Sequence, residues 1–157
     1  MGQNEIERYA GAILNDPRFQ QLRSFEHHGP ANTVYDHSLA VTRAAYRIAC
    51  ALHLSEEETA SVVRAALLHD FFMYNWNDPA SMRPLHGFTH AREALSNAQK
   101  QFELNEIERD VIKKHMFPLN IALPRYRETA LVSAADKISA VMELLHSARA
   151  LRILRRC

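Results

Sequence analysis

The sequence predicts an all-α domain, and three observations carry the prediction. Only 4 glycines and 6 prolines occur in 157 residues, few for a β-sandwich that turns about every ten residues. Apolar residues recur at spacings of three and four instead of alternating, which is the period of a helix face. Two segments open on a capping box, Ser55 with Glu58 and Asn105 with Glu108, in which side chain and backbone satisfy each other's orphan groups at a helix start.

From Asn4 to Leu14, Ile6, Tyr9, Ala10, Ile13 and Leu14 mark a short amphipathic helix that Asp16-Pro17 ends. Residues 18–32 read as a loop, with His27-His28 ahead of Gly29-Pro30 open to two readings, metal ligands or, the favoured one, solvent-exposed loop residues. Thr33 caps a long helix to about His53 whose stripe is Val34, Val41, Ala45, Ile48, Ala49 and Leu52. His37 shares an inward side of it with Val41, Ala44 and Ile48. The helix after Ser55 carries Val62, Val63, Ala66 and Leu67 down to His69-Asp70, and Phe71, Phe72 and Tyr74 beyond it are expected mainly to pack. Thr89 is the expected N-cap of a helix over His90 to Gln101, with His86 on the approach loop. Ile107, Val111 and Ile112 lead a short helix to His115, broken at Pro118. A last helix begins near Arg127, with Leu131, Ala134, Ala135, Ile138, Val141, Met142 and Leu145 as its expected apolar set and Asp136 among them. The basic tail, Arg149 to Cys157, is expected to be a solvated end.

The length suits one domain over residues 1–157, with a motif-bearing core of about 34–145. Hydrophobic residues make up 47% and charged residues 24%, a globular balance that excludes disordered and collagen-like classes. Net charge is +1 with the 9 histidines neutral, so no field recruits a nucleic-acid polymer or an anionic membrane. Cys50 and Cys157 show no metal or disulfide spacing. No signal peptide and no long apolar run is visible, and the expected location is cytoplasmic.

Nine histidines is a high count for this length, and imidazole is the commonest transition-metal ligand. His37, His69, Asp70, His90 or His86, His115 and Asp136 each fall at a helix end or on an inward face. His90 is favoured over His86. Inside a helical bundle such positions converge. His37, His69, Asp70 and Asp136 would satisfy one cation; two more imidazoles, with Asp70 as bridge, would hold a second about 3.5–4 Å away.

Four stretches carry a family likeness: Tyr35-Asp36-His37-Ser38-Leu39-Ala40-Val41, Ala66-Leu67-Leu68-His69-Asp70, His115 after Val111-Ile112-Lys113-Lys114, and Val132-Ser133-Ala134-Ala135-Asp136-Lys137. In these the chain resembles the HD-domain superfamily of metal-dependent phosphohydrolases, a compact multi-helix bundle with the metal site at its centre. The resemblance implies His37, His69, Asp70 and Asp136 as the four-ligand set. In two-metal members it implies added histidines between the doublet and the last aspartate, here His86 or His90 and His115. Phe71 and Phe72 follow the doublet where some branches carry Gly-Lys or an activating acid, which points away from guanosine-tetraphosphate hydrolases and deoxynucleotidases.

The expected cofactor is a divalent metal, two ions of Fe, Mn, Zn, Co or Ni. The expected reaction is attack of a metal-activated hydroxide, oriented by Asp70, on the phosphorus of a nucleotide or other small phosphorylated metabolite. Lys137 is the first choice to offset transition-state charge, ahead of Arg43, Lys113, Lys114 and Arg125. Two alternatives stand beside this reading: a di-iron oxygenase on the same fold, and a metal-binding regulatory domain without turnover. A homodimer is the one macromolecular assembly envisaged.

Overall fold

The computed structural model describes residues 3–27, 32–75 and 86–154, with side chains described for 4–27, 32–75 and 89–146. The helices are α1 (Gln3–Leu14), α2 (Pro17–Gln21), α3 (Val34–Ala51), α4 (Glu56–Leu68), α5 (His86–Gln101), α6 (Glu106–Lys114) and α7 (Arg127–Leu154), with a 3-10 turn at Leu22–Ser24. Among the described residues no strand forms; Glu26 and Thr33 make one isolated antiparallel bridge. No helix described is long and apolar enough to cross a membrane.

Three predicted helix starts match their chemistry. Thr33 caps α3 by accepting from the Asp36 amide, and both capping boxes are complete, Ser55 with Glu58 and Asn105 with Glu108. Asp16-Pro17 does more than end a helix. The Asp16 carboxylate accepts from the Arg18 and Phe19 amides with Pro17 in the first turn, so the pair starts α2 inside the expected loop. α5 likewise begins at His86, one turn ahead of the expected Thr89 cap.

α3 packs on α4 and α7, while α6 bridges α4, α5 and α7. Between them lie Val41, Ala45 and Ala49 of α3, Val62, Ala66 and Leu67 of α4, Val111 and Ile112 of α6, and Leu131, Val132 and Ala135 of α7, all buried. Phe71, Phe72 and Tyr74 are buried as expected of packing residues. Leu52 lies past the end of α3 and is exposed.

The larger correction concerns α7. Ile138, Val141, Met142 and Leu145, expected in the core, are 50–56% exposed, and Leu144 joins them; Ala134 is exposed as well. At 100° per residue, Val132, Ala135, Asp136, Ser139 and Glu143 share one face, and the exposed apolar set occupies the opposite one. The backbone of α7 continues through Leu154, while the side chains of the basic tail lie outside the described residues.

Candidate metal centre

α4 and α6 end alike. His69 is the C-cap of α4 and His115 that of α6. The Nδ1–H of His69 donates to the Ala66 carbonyl at 2.7 Å, and that of His115 to the Ile112 carbonyl at 2.9 Å. The last carbonyls of a helix lack intrahelical donors, and a histidine three residues on supplies one. A carbonyl only accepts, so each ring carries its proton on Nδ1 and turns the Nε2 lone pair inward. The two rings meet edge-on with centroids 4.9 Å apart. Both helices thus direct the negative ends of their dipoles at the same point, which favours a cation there.

Asp70 stands between two sets of donors. Its Oδ2 lies 3.5 Å from His69 Nε2, 4.0 Å from His37 Nε2 and 3.4 Å from His27 Nε2. Its Oδ1 lies 3.3 Å from His90 Nε2 and 3.4 Å from His115 Nε2. On the Oδ2 side, Asp136 Oδ1 is 3.2 Å from His37 Nε2 and 3.8 Å from His69 Nε2. On the Oδ1 side, the Nε2 atoms of His90 and His115 are 3.1 Å apart. Two ligands on one ion with bonds of about 2.0–2.1 Å stand about 3.0–3.4 Å apart; the Oδ1-side spacings fall in that range, while on the Oδ2 side His69 and His37 stand wider, at 3.5–4.0 Å.

A second observation tests the fit. His69 Nε2 and Asp70 Oδ1 are buried without a hydrogen-bond partner, and buried polar atoms normally have one. A cation would satisfy both. Three overlapping triplets have donor atoms within coordinating reach of one another: His27, His37 and Asp70; His37, His69 and Asp136; His69, Asp70 and His115.

His37 sits in the second turn of α3, fully buried. Its Nδ1 is 2.9 Å from Glu143 Oε1, and its Nε2 faces Asp136. Burial pushes this imidazole down, but hydrogen bonds to Asp136 and Glu143 and the charge of Asp70 lift it to about 10. His69 behaves oppositely: burial takes it down to about 4 despite Asp70. Burial raises Asp70, yet the imidazoles of His69, His90, His115 and His27 packed around it hold it well below the carboxylate range. Asp136 is lowered against its burial, chiefly by the His37 bond. The carboxylates therefore stay ionised, as ligands must be.

The supports lie one layer out. Arg64 donates to Glu108 Oε1 at 2.5 Å and to the Glu103 carbonyl at 2.8 Å, fixing α4 against α6. Asp110 accepts from the Arg125 amide and from Thr129 Oγ1, closing the segment after α6 onto the start of α7. Lys137 Nζ donates to the His115 carbonyl at 3.2 Å and to Ser133 Oγ at 2.8 Å. Its ammonium, expected at a phosphate, is held on the end of α6. Lys114 pairs with Asp110, and Arg125 lies over Tyr126 near Glu106.

The structure thus brings together His37, His69, Asp70, His90, His115 and Asp136. His86 opens α5, and its side chain lies outside the described residues. Two further residues join them. His27, for which the ligand reading was the less favoured of two, is 6% exposed and stacks on His37 with centroids 4.0 Å apart; His28 lies outside the described residues. Glu143 stood unnoticed between Met142 and Leu144. The available signal was its spacing of seven from Asp136, two helical turns on the same face.

Fold and site together define an all-α bundle with a buried histidine–carboxylate metal centre. The HD domain family model matches residues 34–141, and the chain belongs to that family. Its membership carries metal-dependent, hydrolase-type activity and a divalent metal site as the family's general character. Comparison with the curated proteins and with the solved structures finds no match.

Proposed function

We propose that the protein is a two-metal phosphohydrolase acting on a phosphomonoester or phosphodiester of a nucleotide or another small phosphorylated metabolite. The observation that carries the reading is Asp70: one oxygen faces His37 and His69, the other faces His90 and His115. A carboxylate so flanked would serve both ligand sets. His37, His69, Asp70 and Asp136 would hold one divalent ion, and Asp70, His90 and His115 the second. Such ions, when bound, supply Lewis acidity that makes water a nucleophile near neutral pH and polarises phosphoryl oxygens.

The chain's own residues do the remaining work. Asp70 fixes the spacing of the two ligand sets, and the backbone carbonyls of Ala66 and Ile112 fix the tautomers of His69 and His115. Phe72 meets the His90 ring edge-on at 5.9 Å and closes that side against water. Lys137 acts through His115, whose carbonyl it holds, and not on the phosphate. Lys114 is likewise engaged with Asp110, and Arg125 lies over Tyr126 near Glu106.

The test is elemental analysis of the purified full chain, together with hydrolysis of a panel of nucleotides and sugar phosphates by wild type and Asp70→Asn. Near two metals per chain, phosphate release and its loss in Asp70→Asn are expected. Iron with oxygen-dependent chemistry and no phosphate release would replace the reading with an oxygenase. Metal without turnover on any ester would make the domain regulatory.

A further inference from the structure

Residues 34–141 match the family model, yet the buried cluster extends past both ends of that match. His27 precedes it and Glu143 follows it. We infer that His27 and Glu143 extend the metal centre, with His27 Nε2 a further ligand on the Oδ2 side of Asp70 and Glu143 the carboxylate that positions His37. This rests on the metal-centre reading above.

The placement of His27 is built into the backbone. Its amide donates to the Asn32 carbonyl at 2.8 Å, and the Val34 amide donates to the Phe25 carbonyl at 2.9 Å. With the Glu26–Thr33 bridge, these bonds lay residues 25–27 antiparallel along the lead-in to α3. His27 is thereby set beside His37, one turn into the same helix, and the rings stack at an interplanar angle of 26°. Its Nε2 is 3.4 Å from Asp70 Oδ2, as near as His69 Nε2 at 3.5 Å. With His37 and Asp70 it forms a coordinating triplet in its own right.

Glu143 lies behind these rings. Its Oε1 is 2.9 Å from His37 Nδ1, and its Oε2 is 3.8 Å from His27 Nδ1. A carboxylate accepts and cannot donate once ionised, so His37 keeps its proton on Nδ1 and offers Nε2 to the ion. Backbone carbonyls perform this service for His69 and His115. His37, near the start of its helix, has its partner in a side chain from α7.

Cobalt(II) added to the metal-depleted full chain is the probe, read by chelator competition and by its visible ligand-field spectrum. The variants are His27→Gln, His27→Ala, Glu143→Ala, Glu143→Gln and, as a control, His69→Ala, each checked for native helicity by circular dichroism. The inference expects His27→Gln and His27→Ala to weaken the tighter cobalt by tenfold or more and to alter its spectrum. Glu143→Ala is expected to weaken it by about 10–100-fold, as loss of a partner behind a ligand does, while Glu143→Gln, which still accepts from His37, recovers most of the loss. Unchanged affinity and spectrum in folded His27→Gln overturns the ligand role even if turnover falls, because the residue then acts on substrate. Wild-type spectra in Glu143→Ala overturn the positioning role. If His69→Ala also binds cobalt as wild type does, or wild type binds none, the metal-centre reading itself fails, and this inference with it.

Discussion

Over residues 127–135, α7 turns Leu131, Val132 and Ala135 into the core, while over 136–146 its inward side carries Asp136, Ser139 and Glu143. In the second stretch Ile138, Val141, Met142, Leu144 and Leu145 face solvent, each half exposed or more. One continuous helix therefore obeys the usual burial rule in its first part and reverses it in its second. The reversal shows what the inward face is for. Where a helix passes a cluster of imidazoles, charged acceptors satisfy the buried donors, and an apolar side chain there would leave them unpaired. On α7 the inward side turns polar where the helix meets the imidazole cluster.

The largest expected effect comes from the reversed half. Asp136→Ala removes an inward carboxylate within reach of His37 and His69, so metal affinity and phosphate release should both fall by more than about 100-fold, beyond what loss of an outer-shell group costs. Competition against a chelator and a phosphate-release assay measure the two. In the first half, Leu131→Ala should lower unfolding free energy by about 2–4 kcal/mol in urea titrations, with metal content per folded chain unchanged. If it also emptied the site, the two halves would not be separable.

A smaller effect is expected from pH. In the metal-free protein, His37 is raised to about 10 from its ordinary 6.5, so its contribution to stability is fully present below pH 6.5 and is lost as pH rises towards 10. The melting temperature of the metal-free chain should fall across that window, and the increment gained on adding metal should grow, because the ion and the proton compete for Nε2. Replacing Glu143 by Ala should flatten the decline. The smallest effect belongs to the outward face: Val141→Gln should leave stability within about 0.5 kcal/mol, and a loss above 1.5 kcal/mol, read against protein concentration, would show that this face is covered in solution.

Much of this molecule was legible in its residues because the signals were local. Thr33, Ser55 and Asn105 cap the helices they announce, and His69, Asp70, His115 and Asp136 stand where helix ends and inward faces placed them. The misreadings came where partners lie far apart along the chain. His27 is buried by backbone pairing of residues 25–27 with 32–34, a contact that no local pattern announces. Glu143 escapes a reading from apolar spacing, which assumes a core that is apolar all along α7. Lys137 was adjacent to a ligand in sequence, yet a helical neighbour points about 100° away, and its ammonium went to the His115 carbonyl.

The carbonyl bonds of His69 and His115 bear on how such a centre survives mutation. Their acceptors are main-chain atoms of Ala66 and Ile112, present whatever residue is encoded there. Substitutions at 66 and 112 that keep the packing leave the imidazole tautomers unchanged, so those positions are free to drift. A deletion that shifts where α4 or α6 stops would disorient a ligand without altering any ligand residue. The aim of two of its imidazoles is thus written in the lengths of two helices, and a comparison that aligns only the histidines would miss it.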